Sequence, residues 1–204
     1  MAVIGVTGGL GTGKTMATRF FVELGCTGIN VDEIGHSLIL KGREPYKKIV
    51  KKFGTDILNE KKEIDRRKLA EAVFKSDRER KYLENILHPL IKKQLKKEIK
   101  NKIEEKPWVV VDFPLLFEMK MEKDFDFIVT IYAASQQQMP RARLQGLGEE
   151  DARRRIDAQI SLKEKCRRSD FVLRNETDST ELKQQVGSLL QLLREKVHFS
   201  KKKK

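Results

Sequence analysis

Cysteine is scarce in this chain: two residues in 204, Cys26 and Cys166, far apart in sequence. Two such thiols build neither a disulfide framework nor a zinc site, and as half-buried side chains they suit a reducing cytosol. Long apolar runs are missing too, and no stretch approaches the roughly 20 residues that span a bilayer. Met1 leads straight into a strand-like stretch without a basic n-region, an extended apolar h-region or a cleavage site, so no secretory leader is expected. No internal repeat or low-complexity linker interrupts the chain. Aromatic residues are absent between Leu90 and Lys106, a lysine-rich stretch. Binders of single-stranded nucleic acid interleave aromatic platforms with their basic residues, which weakens a nucleic-acid reading of that segment.

What is present is enough apolar sequence for a core, 39% of residues, in a length that fits one α/β domain with an insertion. The net charge of +13 calls for an anionic partner. Sign alone does not choose between nucleic acid, lipid and polyphosphate.

Val3-Ile4-Gly5-Val6 is a short apolar run ending at a glycine cluster, the pattern of a buried parallel strand. The spacing predicts a helix over Met16 to Leu24, stopped by Gly25, and a second strand over Ile29 to Asp32. Helical, charged sequence fills the middle of the chain. Ile64 to Leu69 leads into a short amphipathic helix, and Pro89 is placed to open a long one. There Leu87, Ile91, Leu95, Ile99 and Ile103 form an apolar stripe, with the intervening lysines on a solvated face. Strand patterns return at Trp108–Phe113, Phe127–Tyr132 and Asp170–Leu173. Ser135 to Lys165 reads as helix, Leu182 to Val197 as a closing helix, and Lys201 to Lys204 as a disordered basic tail. Together these predict an α/β fold, a doubly wound parallel sheet with helices on both faces and a helical insertion. The segment Gly8 to Thr15 after the first strand, which matches G-x-x-x-x-G-K-[ST], makes it a P-loop NTPase three-layer fold.

The chemistry begins at Gly8-Gly9-Leu10-Gly11-Thr12-Gly13-Lys14-Thr15, which matches G-x-x-x-x-G-K-[ST] between a predicted strand and a predicted helix. Glycines let backbone N–H groups turn inward around phosphate oxygens, and the helix N-terminus adds partial positive charge. ATP contacts are therefore expected from Gly9, Gly11, Thr12, Gly13, Lys14, Thr15 and Met16. Lys14 supplies a mobile charge at the β/γ-phosphates and Thr15 a hydroxyl ligand to Mg²⁺. Asp32, at a predicted strand end, is either a general base or a helix N-cap. Asp112 closes Val109-Val110-Val111 either as a second Mg²⁺-ordering residue or as a strand-end turn residue. Arg141 and Arg143, followed by Gly146 and Gly148, read as a mobile phosphate-closing segment or as an ordinary basic helix. His88, before Pro89, is pushed toward an extended conformation at a helix start, as a cap, a packed side chain or a catalyst.

In combination these pieces resemble the dephospho-CoA kinase family over nearly the whole chain. The match runs through Thr7–Thr15, Asn30-Val31-Asp32, Phe53-Gly54 and Ile64-Asp65-Arg66-Arg67 with Leu69. It continues through Leu87-His88-Pro89-Leu90-Ile91, Pro114-Leu115-Leu116-Phe117-Glu118, Gln159, Lys165 and Asn175. The resemblance implies Mg²⁺- and ATP-dependent phosphorylation of the ribose 3′-hydroxyl of dephospho-CoA, the final step of coenzyme A synthesis, in the cytoplasm. It implies a nucleotide core (about 1–32 and 107–200), a helical substrate-binding insertion (about 33–106) and a lid (about 138–158). Asp32 matches the second acid of the family's Asp-x-Asp motif, where a catalytic base is expected. Arg66 and His88 match positions of the substrate region, and Arg141 matches the first of two lid arginines. There are two departures: Asn30 stands where the motif's first Asp lies, and Gln145 stands where the second lid arginine lies. Arg143 is then a candidate to replace it.

Two rivals share parts of this reading. Another small-molecule kinase would share the P-loop and lid, but should lack the His-Pro-Leu-Ile and Pro-Leu-Leu-Phe-Glu pair. A nucleic-acid-binding ATPase or nucleotide switch is motivated by the charge. ATP and dephospho-CoA both carry pyrophosphate groups, however, so a basic cleft needs no polymer, and small-molecule substrates are the expected partners. The oligomeric state is not given by the sequence.

Overall fold

The fold is described from a computed structural model, which covers residues 1–73, 76–144 and 146–202, with 199–202 described by backbone alone. Gln145, Lys203 and Lys204 lie outside the described residues. The chain divides into two compact units, Met1–Asn30 with Ile99–Lys204, and Val31–Glu98.

The first unit is built on a sheet of five parallel strands in the order β2-β3-β1-β4-β5: β1 (Ala2–Gly8), β2 (Thr27–Asn30), β3 (Trp108–Asp112), β4 (Phe127–Tyr132) and β5 (Phe171–Arg174). β1 is central and buried along its whole length, which explains its unbroken apolar run. Its register places Val6 beside Asp112 of β3 and Gly8 beside Ile131 of β4. The strand order reverses about β1, so the crevice at the carboxyl ends of β1, β3 and β4 is the ligand position of such a sheet. Helices α1 (Lys14–Glu23) and α9 (Ser179–Lys202) cover one face, where Phe20, Phe21, Leu182, Val186, Leu190 and Leu193 pack on Ile4, Val6 and Ile131. Helices α6 (Ser135–Leu144), α7 (Glu149–Asp157) and α8 (Leu162–Arg168) lie between β4 and β5 in the chain.

The second unit contains α2 (Val31–Leu38), α3 (Glu44–Phe53), α4 (Arg66–Val73) and the first part of α5 (Asp77–Glu105). Its own core is Ile49, Ile57, Leu69 and Val73, with Leu83, Ile86 and Leu87 of α5 packed on it. Asp65 caps α4, its Oδ1 accepting from the N–H groups of Arg67 (2.9 Å) and Lys68 (3.3 Å).

Four expectations are corrected. Pro89 lies inside α5 and does not open it. A mid-helix proline costs about 3 kcal/mol. Apolar side chains on either side of it, Ile86 and Leu87 before and the buried Ile91 and Leu95 after, each return about 1.5–3 kcal/mol if the helix continues. His88 is accordingly helical, not extended. The second strand ends at Asn30, so Asp32 is the second residue of α2 and neither a strand end nor an N-cap. β2 is an edge strand paired only to β3, and β3 ends at Asp112 in register with Asn30, so Val31 and Asp32 have no ladder to join. Finally, Lys201 and Lys202 continue α9 instead of forming a tail. Among the described residues, no helix is long and apolar enough to cross a membrane.

Candidate active site

The phosphate loop joins β1 to α1 and is shaped by glycine where the backbone requires it. Gly11 has φ +70° and Gly13 φ +92°, both in the left-handed region that L side chains avoid. Space forbids a side chain as well. A Cβ on Gly11 would run into the backbone of Gln138 in α6, and one on Gly13 into the amide of Asn175. The loop is thus gripped from outside: Asn175 Nδ2 donates to Thr12 O at 2.8 Å, and Gln138 is buried against it with Nε2 donating to Ala133 O at 2.8 Å. Gly13 precedes the first turn of α1, which has no side-chain cap and no acid. The N–H groups of that turn are the donors an anion takes up.

Lys14 Nζ donates to Gly9 O at 2.7 Å, across the loop it is expected to serve. Thr15 Oγ1 donates to Asp112 Oδ2 at 2.7 Å, joining the start of α1 to the end of β3. Asp112 is 4% exposed. A hydroxyl and a carboxylate on one short contact form a hard-oxygen donor pair, the kind that orders Mg²⁺ beside nucleotide phosphates. The residues present therefore fit that ion. The contact makes Asp112 a buried partner of the first turn of α1. Asn30 is its register partner on β2, so the carboxylate at this pair of strand ends comes from β3.

Arg141 sits on α6 with Nη1 donating to Asn175 O at 3.1 Å, which ties it to the residue that grips the phosphate loop. Arg143 points elsewhere: its guanidinium pairs with Glu149 at the start of α7 and is 60% exposed. Arg143 and Arg153 together hold the Glu149 carboxyl below the usual carboxylate range. α6 ends at Leu144, with Gly146 at φ +79°. Gly146 N–H bonds Arg143 O at 2.9 Å and Leu147 N–H bonds Ala142 O at 3.2 Å, a Schellman stop.

In the helical unit Asp32 and Glu33 occupy the first turn of α2, where carboxylates oppose the helix dipole favourably. Arg66 starts α4, and its charge reaches His36, one turn beyond Asp32 on α2. Burial first, and Arg66 second, pull His36 below its ordinary value, against the opposite pull of Asp32 and Glu33. Asp32 and Arg66 thus act on His36 with opposite sign. His88 is also pulled down, by burial and Lys92, against Glu84 one turn away.

Lys14, Thr15, Asp112 and Arg141 thus lie in one unit, and Asp32, Arg66 and His88 in the other. Sequence reasoning missed Gln138 and His36 altogether and gave Asn175 no role. His36 is the one with a sequence signal, its i+4 spacing from Asp32.

Comparison with known proteins points the same way. The dephospho-CoA kinase family model matches residues 2–181. The curated dephospho-CoA kinase of Carboxydothermus hydrogenoformans is 35% identical over 193 residues, covering 94% of each chain. That of Aquifex aeolicus is 35% identical over 193 residues, covering 95% of this chain and 98% of its own. Among solved structures, a dephospho-CoA kinase from Campylobacter jejuni superposes with a TM-score of 0.70 at 27% identity, covering 94% of this chain and 96% of its own. TT1252 from Thermus thermophilus gives 0.76 at 26%, covering 94% and 97%. The sheet order, the phosphate loop and a match spanning most of the sequence place this chain in the dephospho-CoA kinase family.

Proposed function

We propose that this chain transfers the γ-phosphoryl group of ATP to the ribose 3′-hydroxyl of dephospho-CoA, giving coenzyme A and ADP. The observation that carries the reading is the cluster at the carboxyl ends of β1 and β3, where Lys14, Thr15 and Asp112 surround an uncapped helix start. Backbone N–H groups of Gly9 to Thr15 hold the phosphates, and Met16 lies in the same first turn. Lys14 releases Gly9 O and follows the charge onto the γ-phosphate oxygens. Thr15 and Asp112 would hold Mg²⁺, which would supply positive charge against that of the phosphates. Arg141 approaches from the lid helix and offsets charge on the transferring group. Asp32 accepts the proton of the 3′-hydroxyl as that oxygen bonds to phosphorus and the bond to the ADP oxygen breaks. Arg66 and His88 orient the acceptor.

Anionic substrates on both sides of the reaction account for the basic charge without a polymer. Two free cysteines suit a cytoplasmic setting. The test is ADP formation with dephospho-CoA, adenosine and AMP as acceptors. A strong preference for dephospho-CoA is expected. Faster turnover with AMP, or ATP hydrolysis that depends on added nucleic acid, would refute the assignment.

A further inference from the structure

The side chain of Lys165, on α8, has no exposure to solvent. Taking an ammonium wholly out of water is costly, and burial pulls Lys165 below the usual lysine range, against the upward pull of Glu118. Its three N–H donors are matched by three acceptors: Pro114 O at 2.6 Å, Glu118 Oε1 at 2.9 Å and Gln159 Oε1 at 3.2 Å. The acceptors belong to different parts of the site. Pro114 lies two residues after Asp112, and its carbonyl also accepts from Thr7 Oγ1 at 3.2 Å, the residue before Gly8. Glu118 Oε1 also accepts from Ile160 N–H at 2.9 Å. Gln159 and Ile160 lie in the connection from α7 to α8. The other oxygen, Glu118 Oε2, is buried without a hydrogen-bond partner, so this carboxylate is held from one side.

We propose that Lys165 is a positioning residue for phosphoryl transfer, fixing three elements to one buried point. These are the turn that follows Asp112, the strand end that feeds the phosphate loop, and the base of the lid. The connection after α7 is thereby held in register with the turn that follows the Thr15–Asp112 pair. Stability alone is a poor reason for the arrangement, because replacing a buried ion pair by neutral side chains of similar size is often neutral or stabilising.

The inference rests on the kinase reading. Wild-type turnover with each acceptor decides that reading separately, and the ratios below are taken with whichever acceptor the wild type uses. The decisive protein is the double variant Lys165→Met/Glu118→Gln, which removes both charges and keeps both chain lengths. Its Tm should match or exceed that of the wild type. Its kcat should fall by about 10–100-fold, the scale of an ångström-level misplacement, with KM for ATP changed by less than about twofold. Wild-type kcat in the folded double variant would overturn the proposal. If that variant does not fold, Gln159→Met decides, since it cuts the direct bond from Lys165 to the α7–α8 connection and leaves the ion pair and the Ile160–Glu118 bond intact. A kcat lowered by about threefold or more at unchanged Tm supports positioning, and an unchanged kcat overturns it.

Discussion

Asp112→Asn separates the stability of the site from its metal chemistry. In the structure Thr15 donates to Asp112 Oδ2 at 2.7 Å in a setting where Asp112 is 4% exposed. Asn keeps an amide oxygen in that place, so a charge-assisted bond of about 1.5–3 kcal/mol becomes a neutral one of about 0.5–1.5 kcal/mol. The loss of about 1 kcal/mol is partly offset because a charge no longer has to be buried. For a chain of this size that is a Tm change of about 2–4 °C or less. The metal side has no such compensation, since an amide brings no negative charge to a divalent cation. By the usual scale for groups that hold or orient a metal, half-saturation in Mg²⁺ should rise about 10–100-fold. The assay is initial rate against free Mg²⁺ at saturating ATP and acceptor, beside a thermal unfolding curve. Rates should recover toward wild type at high Mg²⁺. Unchanged half-saturation would refute the metal-side role and leave Asp112 as a strand-end partner of Thr15. A collapse in Tm with normal Mg²⁺ dependence would refute it equally.

Asp32→Asn should lower kcat at least about 10²-fold while KM for ATP stays near wild type, because Asn cannot take the acceptor's proton; near-normal turnover would leave Asp32 only its favourable place in the first turn of α2. Arg141→Ala should cut kcat strongly, whereas Arg143→Ala should have a smaller effect. If Arg143 does reach the phosphate it must first leave Glu149, an exposed pair that water screens. Glu149→Gln should then raise turnover, and no change in either variant would remove Arg143 from the lid. Gly13→Ala should destabilise the fold by about 2–4 kcal/mol, from the left-handed backbone and from displacing the Asn175 amide off Thr12 O. Chemical denaturation should show Asn175→Ala recovering part of that loss in the double variant. Strict additivity would mean that Asn175 does not press on Gly13.

The sequence alone determined the phosphate loop, the first β-loop-α-β turn of the chain and the approximate positions of all five strands. Each of these is written within a few residues: a glycine pattern, an apolar run, a periodicity. It also set out the candidate residues Lys14, Thr15, Asp32, Asp112 and Arg141. It misplaced what depends on neighbours distant in the chain. Pro89 looked like a helix start because its local cost is visible, while the packing that carries α5 through it involves Ile49, Ile57 and Leu69. Asp32 looked like a strand end because nothing near it shows where β3 stops. Only the tertiary structure brings Asp112 to Thr15, a contact that spans 97 residues. The grip of Asn175 on Thr12 spans 163, and the bond from Lys165 to Pro114 spans 51. Periodicity and motif report energies local to one element. These contacts arise when the ends of β1, β3 and β5 and the helix α8 are brought together, which is a property of strand order and not of any single segment.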